Sequence, residues 1–95
     1  MTENEPLAGS VPAKDENELR AWGRWIRLLR VGHGMTQQDL AERAGLDKNV
    51  IGHIERGERN VGVLTVFRLA RALGVRTQDL FPEETGPLVP QPPRP

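Results

Sequence analysis

The chain has 95 residues, is 37% hydrophobic, lacks cysteine and balances 13 basic against 13 acidic residues. That length sets a single domain with one core, and the missing thiols exclude a disulfide framework, a cysteine nucleophile and a cysteine zinc site. Apolar runs are too short for a bilayer span, and the acidic start has no apolar signal-peptide stretch, so a cytoplasmic protein is expected.

The zero total hides an uneven distribution. Residues 1–18 hold one Lys and five acids, a net of −4; residues 19–81 hold eleven basic and six acidic groups, a net of +5; residues 82–95 hold one Arg and two Glu, a net of −1. Attraction to phosphates depends on the local patch rather than the chain total. A net of +5 is also common in proteins that never meet nucleic acid, so charge alone decides nothing.

In chain order, residues 1–16 are acidic and poor in apolar groups and read as a flexible arm. A helix is expected from about Asn17 to Val31, with Leu19, Trp22, Ile26 and Leu29 forming an apolar stripe. Arg20, Arg24 and Arg27 project from its other face as a solvated set. Gly32 and Gly34 end it, leaving His33 in a loop. Thr36, with Asp39 three residues on, caps a second short helix ending near Ala44, and Gly45 supplies the turn. Asp47 caps a third helix, about Lys48 to Arg56, stopped by Gly57. A fourth covers about Val63 to Leu73, with Val63, Val66, Leu69, Ala70 and Leu73 inward and Gly74 as its stop. A last helical turn covers Thr77 to Phe81. Residues 82–95 contain six of the eight prolines and read as a flexible tail. The expectation is an all-α, five-helix domain over residues 17–81, flanked by arms 1–16 and 82–95.

Two short helices joined by a Gly turn are the pattern of a helix-turn-helix. On a helical wheel of the third helix, Val50, Ile51 and Ile54 fall together and belong to the core. Asn49, Gly52, His53 and Arg56 fall opposite, with Lys48 at the N-terminal edge. This outward face carries no acid and no large apolar group. Asn pairs in bidentate fashion with adenine, Lys and Arg donate to guanine or phosphate, and His donates to N7 or O6 acceptors. Gly52 opens a gap in the middle through which base edges can approach, a use that offsets its cost of roughly 1 kcal/mol in a helix.

The runs Met35-Thr-Gln-Gln-Asp-Leu-Ala-Glu-Arg-Ala-Gly45 and Val50-Ile-Gly-His-Ile-Glu-Arg-Gly57, the latter followed by Glu58-Arg59-Asn60, resemble the Cro/C1-type (XRE) helix-turn-helix family. Leu69-Ala-Arg-Ala-Leu-Gly-Val75 and Asp79-Leu-Phe81 are similar to its fourth and fifth helices. The likeness covers about residues 19–81 and implies a lambda-repressor-like fold, double-stranded DNA as partner and transcriptional control, commonly as a homodimer on a palindromic operator. It implies a phosphate contact for Gln37, base reading for Lys48, Asn49 and His53, and backbone contacts for Arg56, Arg59 and Asn60. The family pattern also pairs an arginine ahead of the second helix with the glutamate of Ile-Glu-Arg-Gly. Arg30 and Glu55 both lie near buried helix edges, where a charge needs a partner, so an Arg30–Glu55 ion pair is expected from both routes. A dimer surface is expected around Leu80 and Phe81.

The chain departs from the family pattern at Trp25 and Leu64, where polar residues are usual, and at Arg76, where a small cap is usual. Trp25 and Leu64 are equally compatible with a partner contact and with an extension of the core edge. Catalysis is not expected. His33 and His53 lie on different elements, His53 and Glu55 point in different directions, and no phosphate loop or nucleophile elbow occurs. No metal or cofactor is implied. Two other readings of the same fold are an antitoxin that binds a toxin protein and an adaptor that binds protein instead of DNA. The polar face of the third helix argues against the adaptor, and neither arm has the amphipathic stripe a toxin-binding segment needs.

Overall fold

In the computed structural model, which describes residues 13–82, four α-helices are followed by one 3-10 turn. They are α1 (Ala13–Gly32), α2 (Gln37–Ala44), α3 (Lys48–Glu55), α4 (Val63–Leu73) and the 3-10 turn Thr77–Leu80. No strand occurs among the described residues, and none of their helices is long and apolar enough to cross a membrane. Of the expected arms, residues 1–12 and 83–95 lie outside the described part, residues 13–16 are helical, and Pro82 follows the last turn without regular structure.

α1 starts four residues before the expected Asn17. Its first turns are exposed throughout residues 13–18, so no apolar period marks them. Asp15 and Glu16 favour the helix there by facing its positive end. At α2 the capping arrangement is complete. Asp39 N–H donates to Thr36 Oγ1 at 3.0 Å, and Thr36 N–H donates to Asp39 Oδ2 at 2.9 Å. Asp47 accepts the Asn49 N–H at 2.7 Å to open α3. Gly45 and Gly74 close α2 and α4 in the left-handed region, at φ 70° and 72°.

The fifth helix is a single 3-10 turn. Phe81 is extended at φ −116° and ψ 133°, because Pro82 disfavours helical backbone in the residue before it. In place of a small cap, Asp79 accepts the Arg76 backbone N–H at 3.2 Å and two guanidinium donors at 3.2 and 3.3 Å.

Every element contributes to one core. Ile26, Leu40, Ile51, Ile54, Leu69 and Leu80 are fully buried, with Trp22, Met35, Ala41, Ala44, Ala70 and Leu73 around them. Two sequence expectations change here. Val63 is exposed, because the first turn of α4 overhangs the core that Leu69, Ala70 and Leu73 enter. Leu80 has no exposed surface and is a core residue of its own chain, not a residue available to a dimer partner. Trp25 is half-buried, and its indole N–H donates to Asp79 O at 2.9 Å, joining α1 to the 3-10 turn. It therefore belongs to the core edge. Phe81 is half exposed and stacks on Trp22, with ring centroids 6.0 Å apart.

α3 packs against both α1 and α2, and at the glycines of its seam with α1 backbone meets backbone. A Cβ on Gly23 would clash with the carbonyl oxygen of Ile54 and lie 2.6 Å from that of Glu55. Gly57, at φ +76°, has the same constraint from the other side, since a Cβ there would lie 2.6 Å from Arg20 Cα.

Candidate nucleic-acid interface

Among the described residues, one polar cluster mounts α3. Arg30 Nε donates to Glu55 Oε2 at 2.6 Å and Nη2 donates to Oε1 at 3.1 Å, a two-pronged pair between largely buried side chains. The remaining guanidinium nitrogen, Nη1, donates to Met35 O at 2.8 Å. One arginine thus ties α1, the entry to α2 and the end of α3 together. Gln37, the first residue of α2, donates its Nε2 to Glu55 Oε1 at 3.1 Å and is half-buried. Its side-chain amide is engaged with the ion pair.

Outward from this mounting, Lys48, Asn49, His53 and Arg56 are all exposed, as are Arg59 and Asn60 in the loop that follows. Val50 packs on the core, and Ile51 and Ile54 are buried within it. The split between core and solvent sides of α3 follows the 3.6-residue period. With the loop, the exposed side offers two amides, an imidazole, an ammonium and two guanidinium groups.

Gly52 differs from the expected open gap. It is buried, and the nearest atom to a Cβ built there is Arg56 Nη1 at 3.3 Å. The Arg56 side chain folds back along α3 and lies over the glycine. Nor is this surface free of acid. Glu58, from the turn after α3, accepts from Arg56 Nε at 3.1 Å and stands 2.9 Å from His53 Nδ1. The His53 and Arg56 contacts, in that order, hold its carboxyl below the ordinary value of 4.5. Glu58 carried no signal in a wheel drawn for α3 alone, because it lies beyond the helix. Its spacing of two from Arg56 and five from His53, across the Gly57 turn, is the signal that a search of the helix exit would have found.

On α4, Val63, Leu64 and Phe67 form an exposed apolar strip. Among the described residues no three His, Asp or Glu side chains gather as metal ligands.

Four helices, with a short second and third joined by a left-handed glycine and the third offering a basic and amide face, define a helix-turn-helix DNA-binding protein. The helix-turn-helix family model HTH_3 matches residues 26–80, and the chain belongs to this family, the Cro/C1-type (XRE) transcriptional regulators. Among solved structures it is similar to the restriction-modification controller protein C.AhdI from Aeromonas hydrophila, at 38% identity and a TM-score of 0.68. That likeness covers 68% of this chain and 98% of the controller. It is also similar to the controller C.Esp1396I, solved as a tetramer with its natural 35 base-pair operator. The identity is 32% and the TM-score 0.61, over 65% of this chain and 82% of that one. The control protein C.BamHI of Bacillus amyloliquefaciens is 37% identical over 67 residues, covering 68% of this chain and 83% of the relative.

Proposed function

We propose that this chain is a sequence-specific transcriptional regulator that docks α3 in the major groove of a palindromic operator as a homodimer. The observation that carries this is the division of α3. Its inner side is locked to α1 and α2 by Ile51, Ile54 and the Glu55 ion pair, while Lys48, Asn49, His53 and Arg56 face solvent together. Asn49 and Lys48 at the helix start suit base edges, and Arg59 and Asn60 beyond it suit the phosphate backbone. Gln37, at the start of α2, donates one amide hydrogen to Glu55 and keeps its second for a phosphate.

A single short helix reads few bases, so two copies are needed for useful specificity, about one turn or 34–36 Å apart. With Leu80 committed to the core, the surface best suited to a second copy is the strip Val63, Leu64 and Phe67. Phe81, half exposed beside Trp22, is the remaining apolar residue of the expected pair. The operator complex of the C.Esp1396I controller is that of a tetramer, which supports assembly on DNA as the working state.

Selection of bound sequences from a random duplex pool tests this reading. Wild type is expected to enrich a palindrome, and Asn49→Ala/His53→Ala to lose it. A wild-type chain that enriches nothing at moderate salt rejects the reading.

A further inference from the structure

An acid has no evident place on a surface meant for phosphates, yet Glu58 lies among the basic groups of this one. Its Oε1 is shared between Arg56 Nε at 3.1 Å and His53 Nδ1 at 2.9 Å, and Arg56 Nη2 lies 3.2 Å from the same ring nitrogen. Nδ1 cannot donate to Glu58 and accept from Arg56 at once. The shorter distance and the negative charge favour the donation to Glu58. The fourth member is Gly52, whose missing side chain gives the Arg56 guanidinium room to lie across α3. The three side chains are about half exposed.

We infer that Glu58 is a specificity-determining residue that holds Arg56 and His53 on the α3 surface and withholds them from non-specific phosphates. The inference rests on the DNA reading proposed above. The physical basis is competition. A phosphate on random DNA draws Arg56 away only by breaking its bond to a carboxylate, and it brings a second negative charge towards Glu58. Both effects lower non-specific affinity. On the operator, donors at Lys48 and Asn49 engage base edges that fix the helix, and these gains are independent of Glu58. The acid therefore widens the difference between right and wrong sequences by weakening the wrong ones, which is how repulsive groups build specificity. A glutamine keeps the shape at position 58 and removes the charge.

The test uses the full chain with the duplex enriched by selection and with a random duplex of equal length, over a series of salt concentrations. Glu58→Gln is expected to bind random DNA about three- to tenfold more tightly, and to lower the operator-to-random affinity ratio by a similar factor. Freed to meet a phosphate, Arg56 should also steepen the log affinity against log salt plot on random DNA by about one, the slope of one added contact. Arg56→Ala/Glu58→Gln should return that slope to the wild-type value. A purely structural role would shift the melting temperature and leave the salt slope unmoved. An unchanged ratio and slope in Glu58→Gln, with wild type still selecting its sequence, overturns the role of Glu58 and leaves the regulator reading intact. Failure of wild type to select any sequence removes both.

Discussion

Arg30 and Glu55, 25 residues apart, meet through two hydrogen bonds of 2.6 and 3.1 Å with both side chains nearly out of solvent. Breaking one side of such a pair leaves an uncompensated buried charge. Arg30→Ala is expected to cost about 3–5 kcal/mol, and Glu55→Ala a similar amount, because it also strands the Gln37 amide. The double substitution Arg30→Met/Glu55→Leu, which removes both charges and restores volume, should cost far less than the sum. Urea unfolding of the four proteins measures this directly.

Glycines in α1 should respond in opposite directions. A methyl group at Gly23 meets the α3 backbone, which cannot yield as a side chain would. Gly23→Ala is expected to destabilise by about 2–3 kcal/mol, despite the better helix propensity of alanine. Gly32 has open space around its Cβ position, so Gly32→Ala should be neutral or stabilising by up to ~1 kcal/mol. Thermal melts of the two variants discriminate steric contact from propensity.

Asp39 lies below its ordinary value of 3.8, first because it accepts the Thr36 backbone N–H and second through the Thr36 side chain. A carboxylate with a depressed folded value stabilises the native state above its unfolded value, and loses that contribution as pH falls through the folded one. Asp39→Asn should therefore have a lower denaturant midpoint than wild type at neutral pH. The gap is expected to begin closing near pH 3.8 and to close further below it. A constant gap from neutral to strongly acid pH would show that the bond, rather than the charge, stabilises the helix start.

If the strip on α4 joins two copies, a charge at its centre separates them. Phe67→Glu is expected to shift sedimentation from dimer to monomer with little loss of helicity, because Phe67 is already exposed. Operator affinity should fall steeply in the same variant, and the affinity for a single half-site should not.

Gly52→Ala should uncouple stability from recognition. Alanine gains about 0.5–1 kcal/mol within the helix, and its nearest neighbour is the movable end of Arg56. The melting temperature should rise while affinity for random duplex DNA rises as well, as the guanidinium is pushed from its seat and freed to meet phosphates. Paired melts and anisotropy titrations on one preparation give both numbers.

The fold was legible in this sequence wherever one element declared itself. The Thr36–Asp39 box, the Asp47 cap, and the stops at Gly45 and Gly74 follow from local chemistry, and the inward side of α3 follows from its period. Contacts between elements were harder to see. Leu80 looks like a terminal surface residue until the turn at Arg76 directs it inward. The reason for a glycine at position 23 of α1 appears only where α3 lies against it. Val63 has the right angle on the wheel and fails because the helix overhangs its core. At the candidate interface, the exposed residues of α3 were readable from periodicity. The engagement of Gln37 with Glu55, and the capture of Arg56 and His53 by Glu58, depend on chain segments that meet only after folding.

The glycine seam between α1 and α3 also bears on how such a protein changes its target. A side-chain layer between two helices can be repacked, and each repacking tilts one helix on the other. Where backbone presses on backbone, at Gly23 and Gly57, there is no adjustable layer, so these two contacts pin the angle at which α3 leaves the domain. Residues on the far side can then be exchanged one at a time against the same geometry, much as bits are changed in a rigid tool holder. A new operator becomes a matter of exchanging a few exposed letters, and the docking pose travels unchanged from one target to the next.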